Sequence, residues 1–252
     1  MPSEQTDAIV LRLVEFSETS LIVTLYTREL GRISAIAKGA RRPKSPFEGA
    51  LDILSVCRIV VISKTSDALD ILTEAKLQRR FRAAQRGLTR LYCGFYLAEL
   101  LRLWSDEGSP NRELFDLGLQ CIERIDGNDD ALAAVLFFEL QGLRLIGNAP
   151  ATQACVTCGA AVEITSPRVA FGYHLGGVLC RLCAARERQV ASLTRGAVEL
   201  IAQLQQLGAS PPATLEGSAY RELRAVLTRY IATMLGNPPR TQSLLPASWV
   251  SH

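Results

Sequence analysis

The chain has 252 residues and a mass of 27.5 kDa, and 48% of its residues are hydrophobic while 21% are charged. This length allows a sizeable core, and this composition excludes a disordered protein. The net charge of +3 is too small to identify a nucleic-acid-binding protein by itself. The apolar runs are shorter than the roughly 20 residues that span a bilayer, and the first residues lack the regions of a signal peptide. We therefore expect a cytoplasmic protein with no membrane role.

The first eighty residues alternate short apolar runs with turn-forming segments. Runs rich in Val, Ile, Leu and Thr occupy residues 8–14, 21–27, 32–37, 51–62 and 68–77. Gly31 lies between the second and third runs, where it favours a hairpin turn. Five short strands at this spacing are typical of a small closed β-barrel, and the OB-fold is the candidate that we favour.

Positive charge is concentrated in two stretches of the chain. Residues 28–44 contain six basic residues and one acidic residue, and residues 76–90 contain six basic residues and no acidic one. The rest of the chain therefore carries a net charge of −8. A molecule polarised in this way can steer an anionic polymer to one face, although solvated basic faces without a ligand produce the same pattern.

The two basic stretches are expected on different kinds of structure. Residues 39–49 predict a loop, which carries three of the six basic residues of the first group. A helix predicted over residues 78–104 would place four arginines at i, i+3, i+7 and i+11 on one face. These are Arg79, Arg82, Arg86 and Arg90.

The rest of the chain predicts further helices. Residues 111–125 and 129–146 have amphipathic patterns, and Asp129 and Asp130 place negative charge at the start of the second helix. Thr194 is expected to cap a helix that extends to residue 207, and a last helix is expected over residues 218–235. The fold class is therefore α+β, with an N-terminal five-stranded barrel followed by a helical domain.

Four of the seven cysteines form two CxxC pairs, Cys155 with Cys158 and Cys180 with Cys183. Each CxxC turn lets two thiolates converge on one ion, and two such turns supply the four sulfur ligands of a structural zinc site. We therefore predict one Zn²⁺ ion in an inserted module, with no open coordination position for catalysis. Two pairs of free thiols are the alternative.

The remaining cysteines and the internal histidine are not expected to bind metal. Cys57, Cys93 and Cys121 lie in apolar segments and are predicted to be buried. His174 lies between the two CxxC pairs, but four cysteines already complete a zinc site, so we expect it at the surface.

Motifs of common enzymes are absent from the sequence. It contains no P-loop, no Gly-rich dinucleotide motif, no nucleophile elbow and no HExxH, and it has only two histidines. We therefore predict no enzymatic activity and no small-molecule substrate. Two other classes stay open, a protein-docking module without a DNA role and a metal-dependent nuclease. DNA binding that is absent or insensitive to salt would favour the first, and magnesium-dependent nicking would favour the second.

The sequence motifs of this chain resemble those of the RecO family of DNA recombination and repair mediators. The match extends over residues 8–235 and rests on three groups of motifs in the family's order. The N-terminal group comprises residues 8–11, Glu18, Thr27, Gly31, residues 38–41 and Ser45. The helical group comprises residues 91–92, 99–101 and 113–115, and the cysteine group comprises residues 155–159, Phe171 and residues 176–183. The C-terminus departs from the family, because it has fewer basic residues than the resemblance leads us to expect.

The resemblance implies an OB-fold, a helical domain and an inserted zinc module. It also implies binding of single- and double-stranded DNA, annealing of complementary strands, and a partnership with RecR. Together with RecR, such a protein helps to load RecA onto strands that are coated by single-strand-binding protein. The implied location is the cytoplasm, in association with the nucleoid.

On this basis we assign domains and DNA contacts. The domains are an OB-fold (1–78), a first helical part (79–150), a zinc module (151–190), and a second helical part with the C-terminal tail (191–252). Arginine and lysine contact phosphates without reading sequence, so binding should be sequence-tolerant. The nearest aromatic residues, Phe47 and Phe81, are expected in the core. The predicted phosphate contacts are Lys38, Arg41, Arg42, Lys44, Arg79, Arg82 and Arg86.

Overall fold

A computed structural model describes residues 3–47, 49–64, 68–162, 167–206, 210 and 217–246. By their internal contacts the residues group into two units, Met1–Gly127 and Asn128–His252. Among the described residues, none of the helices combines the length and the hydropathy needed to cross a bilayer.

The first unit begins with five strands at the positions that the apolar runs predict. Each strand has two neighbours, because the pairing order is β1-β2-β3-β5-β4 and β4 also pairs with β1, which closes the sheet into a barrel. Only the β3–β5 pairing is parallel. The predicted five-stranded N-terminal sheet is thereby confirmed. The strands are β1 (Ser3–Glu15), β2 (Leu21–Thr27), β3 (Gly31–Ala37), β4 (Val56–Ile62) and β5 (Asp70–Arg79).

Side chains alternate between the inside and the outside of this barrel, as the two-residue period of a strand requires. Val23, Ala35 and Val61 are among the inward residues, which are buried in one apolar cluster. Phe47 and Ala50, in the segment between β3 and β4, belong to the same cluster. The barrel therefore has its own core, and the loop after β3 packs against it.

Two helices complete the first unit, α1 (Leu88–Trp104) and α2 (Arg112–Asp126). The helix predicted over 78–104 is wrong in its first part, because β5 extends to Arg79, which pairs with Val56 of β4. A 3₁₀ turn (Ala83–Arg86) and Gly87, with φ of 129°, separate β5 from α1. The helix predicted over 111–125 is confirmed, and the Asn111 side chain accepts the N–H of Leu114 as its cap.

The second unit contains the remaining helices near their predicted positions. Asp130 caps α3 (Ala131–Leu145), and Thr194 caps α5 (Arg195–Leu204), each by accepting backbone N–H groups. The predicted end of α5 at residue 207 is wrong, because the helix ends at Leu204 and Gln205 is its C-cap. The last helix, α6 (Gly217–Leu235), ends at the predicted residue.

A small sheet of the second unit has no counterpart in the sequence analysis. Its three strands are antiparallel in the order β7-β6-β8, and a single turn of helix, α4 (Arg181–Ala184), follows β7. Phe171 in this sheet packs against Tyr230 of α6, with ring centroids 5.9 Å apart. The strands are β6 (Arg168–Gly172), β7 (Gly177–Leu179) and β8 (Val190–Thr194).

Candidate metal centre and nucleic-acid interface

Two tight turns bring the four cysteines of the CxxC pairs together. In the first turn, the N–H of Gly159 donates to the carbonyl of Cys155 at 2.8 Å, and Gly159 has a φ of 73°, which favours glycine. In the second turn, Cys180 precedes α4, and the N–H of Ala184 donates to its carbonyl at 2.9 Å.

The two cysteine turns are held side by side by backbone hydrogen bonds. The N–H of Val156 donates to the carbonyl of Val178 at 3.1 Å. Gly177 makes this approach possible, because a Cβ atom there would lie 2.4 Å from Cγ1 of Val156. The chain between the CxxC pairs therefore folds back so that the second turn faces the first.

The four sulfur atoms have the spacing of a tetrahedral metal site. The Sγ atoms of Cys155, Cys158, Cys180 and Cys183 all lie within 4.8 Å of one another, and those of Cys158 and Cys180 are 3.8 Å apart. Zn–S bonds of about 2.3 Å in a tetrahedron place two sulfur atoms about 3.8 Å apart. The predicted cluster therefore exists, and its donor set and dimensions fit a metal ion.

The surroundings of the thiols favour the thiolate at two positions. Backbone hydrogen bonds lower the pKa of Cys155 to about 6, and the hydrogen bond from the backbone of Cys180 makes the largest contribution. The pKa of Cys180 is also lowered, mainly by a hydrogen bond from the backbone of Cys183. The hydrogen bond with the Cys180 thiol is the main cause that raises the pKa of Cys183 to about 12. These hydrogen bonds therefore favour the thiolate at Cys155 and Cys180, which is the form in which a cysteine binds a metal ion.

The other cysteines and His174 lie outside this cluster. Cys57, Cys93 and Cys121 are buried, as predicted, and burial raises the pKa of the Cys57 thiol to about 11. His174 is exposed, as expected, and it is not among the residues that converge.

The predicted basic loop follows β3 and lies against the turn between β1 and β2. Lys38, Arg41, Arg42 and Lys44 are all exposed. The N–H of Arg41 donates to the carbonyl of Thr19 at 3.0 Å, so the loop rests on the turn between β1 and β2. Arg41 also forms an ion pair with Glu15, with 3.1 Å between Nη1 and Oε2. The loop therefore presents four cations, one of which faces a carboxylate of the barrel.

The predicted arginine stripe does not lie along one helix. Arg79 is the last residue of β5, and its guanidinium faces two carboxylates of α2, with 2.5 Å to Glu123 and 3.9 Å to Asp126. The prediction of a stripe on one helix is wrong, because strand β5 continues through Arg79, the first arginine of the stripe. Whether Arg79 contacts phosphate stays a prediction.

The other arginines of this group lie at the C-terminal end of α2. The side chain of Arg82 is exposed, while its backbone N–H donates to the carboxylate of Asp126 at 2.7 Å. The guanidinium of Arg90 donates to the carbonyl of Ile125 at 2.9 Å, and that of Arg86 donates to the carbonyl of Gly127. Cations are favourable at a helix C-terminus, so the guanidinium groups of Arg86 and Arg90 have a structural role at the end of α2.

One exposed aromatic residue, Phe16, was not predicted from the sequence. Phe47 is buried, as expected, but Phe16 is 59% exposed in the turn after β1. This turn is the one that receives the hydrogen bond of Arg41. A solvent-facing aromatic ring therefore lies beside the basic loop.

Comparisons with known proteins find a single family along the chain, in agreement with the order of its motifs. The family model described as Recombination protein O N terminal matches residues 1–81, and the one described as Recombination protein O C terminal matches residues 85–243. A DNA repair protein RecO of Rhodopirellula baltica is 45% identical, with 95% of this chain and 97% of that protein covered. DNA repair proteins RecO of Anaeromyxobacter dehalogenans (34% identical, 94% and 93% covered) and Syntrophus aciditrophicus (28% identical, 96% and 95% covered) are also similar.

Proposed function

Because the chain belongs to the RecO family of DNA repair and recombination proteins, we propose that it binds single- and double-stranded DNA and anneals complementary strands. The observation that carries this proposal is the exposed basic loop on the barrel, with Lys38, Arg41, Arg42 and Lys44 in one short segment. The barrel itself is an OB-fold in this proposal, since a five-stranded closed sheet is the architecture of that fold.

Annealing requires no bond chemistry. Two polyanionic strands must be held close together while their mutual repulsion is screened. Lysine and arginine side chains do this by replacing the counterions condensed on the phosphates, and the released ions supply much of the binding free energy. The protein acts here as a mediator and not as an enzyme.

The four-cysteine cluster holds a structural zinc ion in this proposal. All four ligands come from the chain, so the ion would have no open coordination position and would support folding. Its place would be between the turn after α3 and the turn before α4, where it links the two ends of the module that contains β6 and β7.

The proposed partners follow from the family resemblance. With RecR, the protein helps to load RecA onto strands coated by single-strand-binding protein. This work takes place in the cytoplasm, on the DNA of the nucleoid.

Replacing Lys38, Arg42 and Lys44 together by Ala tests the proposed DNA contacts. We expect binding of single-stranded oligonucleotides to weaken about tenfold or more, and to a similar extent for different sequences, since phosphate contacts carry no sequence information. The slope of log Kd against log salt should fall by roughly 0.7 for each lost contact. Fluorescence anisotropy at four salt concentrations measures both quantities.

A variant with the same loss of charge elsewhere is the control. Arg186, Arg188 and Arg195 are exposed residues of the second unit, and their replacement by Ala removes three positive charges as well. The proposal requires this control to bind more tightly than the loop variant. Equal losses in the two variants would show that net charge alone governs binding, and would contradict the assignment to the loop.

A further inference from the structure

The outside of the barrel carries a row of aliphatic side chains that crosses all five strands. Strand pairing places them side by side, because Val14 pairs with Ile22, Ile22 pairs with Ile36, Ile36 pairs with Ile71, and Ile71 pairs with Ile62. We call these five residues the outer apolar row.

The outer apolar row faces away from the core of the barrel. Its members alternate along the strands with inward residues such as Val23, Ala37 and Val61, which belong to the buried cluster. Val14 is 37% exposed, and the other four are half-buried. A continuous apolar strip on a protein surface marks a binding site more often than scattered single residues do.

Phe16 extends the row at its β1 end. Its N–H donates to the carbonyl of Ser20 at 3.1 Å, so the β1–β2 pairing continues one residue beyond Glu15. Phe16 therefore lies two residues beyond Val14 on the same face. With 59% of its surface exposed, the ring is available to a ligand.

Basic side chains lie on both sides of the row. Arg12, two residues before Val14, is an exposed residue of the same outer face. Lys38 follows Ile36 by two residues, and continuing the register of β3 places it opposite Ser20, about 10 Å across two strands from Phe16. Arg42 and Lys44 follow in the loop. The surface is therefore apolar along its middle and carries cations at its edges, with the exposed carboxylate of Glu18 in the turn beside Phe16 and that of Glu15 paired with Arg41.

We propose that the outer apolar row and Phe16 form a surface for the bases of single-stranded DNA, while the flanking cations hold its phosphates. This inference rests on the proposed function and adds a preference for strand type. Bases of a single strand can stack on an aromatic ring and lie on aliphatic side chains, whereas bases of a duplex are already stacked within it. The charged edges favour a polyanion over an uncharged protein segment as the occupant.

The Phe16→Ala variant tests this proposal. An alanine in place of a stacking aromatic lowers single-strand affinity by roughly 5- to 150-fold per base, and we expect a loss in that range. Duplex affinity should change less than about twofold, since its phosphates still meet the basic loop. Binding of the same oligonucleotide as a single strand and as a duplex, measured at one salt concentration, gives both values.

Two further variants exclude trivial explanations. Leu175→Ala removes another exposed apolar side chain (43% exposed) in the second unit, and it should leave both affinities unchanged. Phe16→Trp should retain the single-strand affinity, and its added fluorescence should be quenched when the oligonucleotide binds, with the wild-type signal as reference.

The outcomes separate this inference from the proposed function. If the wild-type protein binds neither form of DNA, both are overturned. If it binds and the loop variant binds less, but Phe16→Ala keeps full single-strand affinity, only the base-stacking surface is overturned, and the row is then left to a protein partner. Selective loss of single-strand binding in Phe16→Ala supports the inference.

Discussion

Replacing Cys180 by Ser should remove the proposed zinc ion and destabilise the second unit. Structural zinc sites bind their ion with apparent free energies of about 10–16 kcal/mol, and this binding energy contributes to folding because the site does not exist in the unfolded chain. Losing one of four ligands forfeits a large part of that energy. We expect the zinc content to fall from one ion per chain to almost none, and the Tm of this unit to drop by about 10 °C or more. Elemental analysis and calorimetry of the purified protein measure the two effects.

The destabilisation should extend beyond the cysteine turns. The sheet formed by β6, β7 and β8 packs on α6 through the Phe171–Tyr230 contact, and Arg229 lies 4.8 Å from the ring centroid of Tyr173. His174→Ala is the matched control, since this exposed residue lies between the two CxxC pairs without joining the cluster. A Cys180→Ser protein that retains zinc and its thermal stability would contradict the assignment of the metal centre.

Glu139→Ala should destabilise the second unit by about 3–5 kcal/mol, because breaking a buried ion pair leaves its other charge in a poorly solvated place. Glu139 in α3 is fully buried and Arg224 in α6 is 5% exposed. The guanidinium Nη1 donates to the Glu139 carboxylate at 2.5 Å. Urea denaturation measures the free energy of unfolding.

A second ion pair in the same unit is the control for this measurement. Arg195 and Glu199 in α5 are 2.6 Å apart but more than half exposed. Exposed pairs of this spacing contribute about 0.3–0.5 kcal/mol, so Glu199→Ala should have a small effect. The double variant Glu139→Leu with Arg224→Met should cost less than Glu139→Ala alone, since both charges are then removed. Equal costs for Glu139→Ala and Glu199→Ala would contradict this account of the α3–α6 contact.

Several elements could be predicted because their local sequence preferences agree with the tertiary structure. Short apolar runs separated by turn-forming segments locate all five barrel strands, and the side chains of Asp130 and Thr194 mark the starts of α3 and α5. The CxxC spacing identifies the four converging cysteines, because two such pairs are the ligand pattern of a structural zinc site.

Other features depend on partners that are distant in the sequence. The charge pattern of residues 78–90 fits a helix, but pairing with β4 draws Arg79 into β5 instead. The acidic C-terminal end of α2, more than thirty residues away, then faces the arginines. Strands β6 to β8 have three to five residues each, which is too short to show a clear two-residue period.

Phe16 could have been found from the sequence. It lies two residues after Val14 in an alternating pattern, immediately before a polar turn, and that position predicts an aromatic side chain on the solvent face. Its nearness to the basic loop, in contrast, required the hydrogen bond from Arg41 to Thr19, which joins residues 22 positions apart.

Annealing of two complementary oligonucleotides, followed at several salt concentrations without ATP, tests the proposed function most directly. The account predicts that the protein accelerates annealing, and that the acceleration fades as salt rises, because counterion release from phosphates drives the binding. Absence of acceleration at every salt concentration would contradict the proposal that this chain anneals DNA through its basic loop.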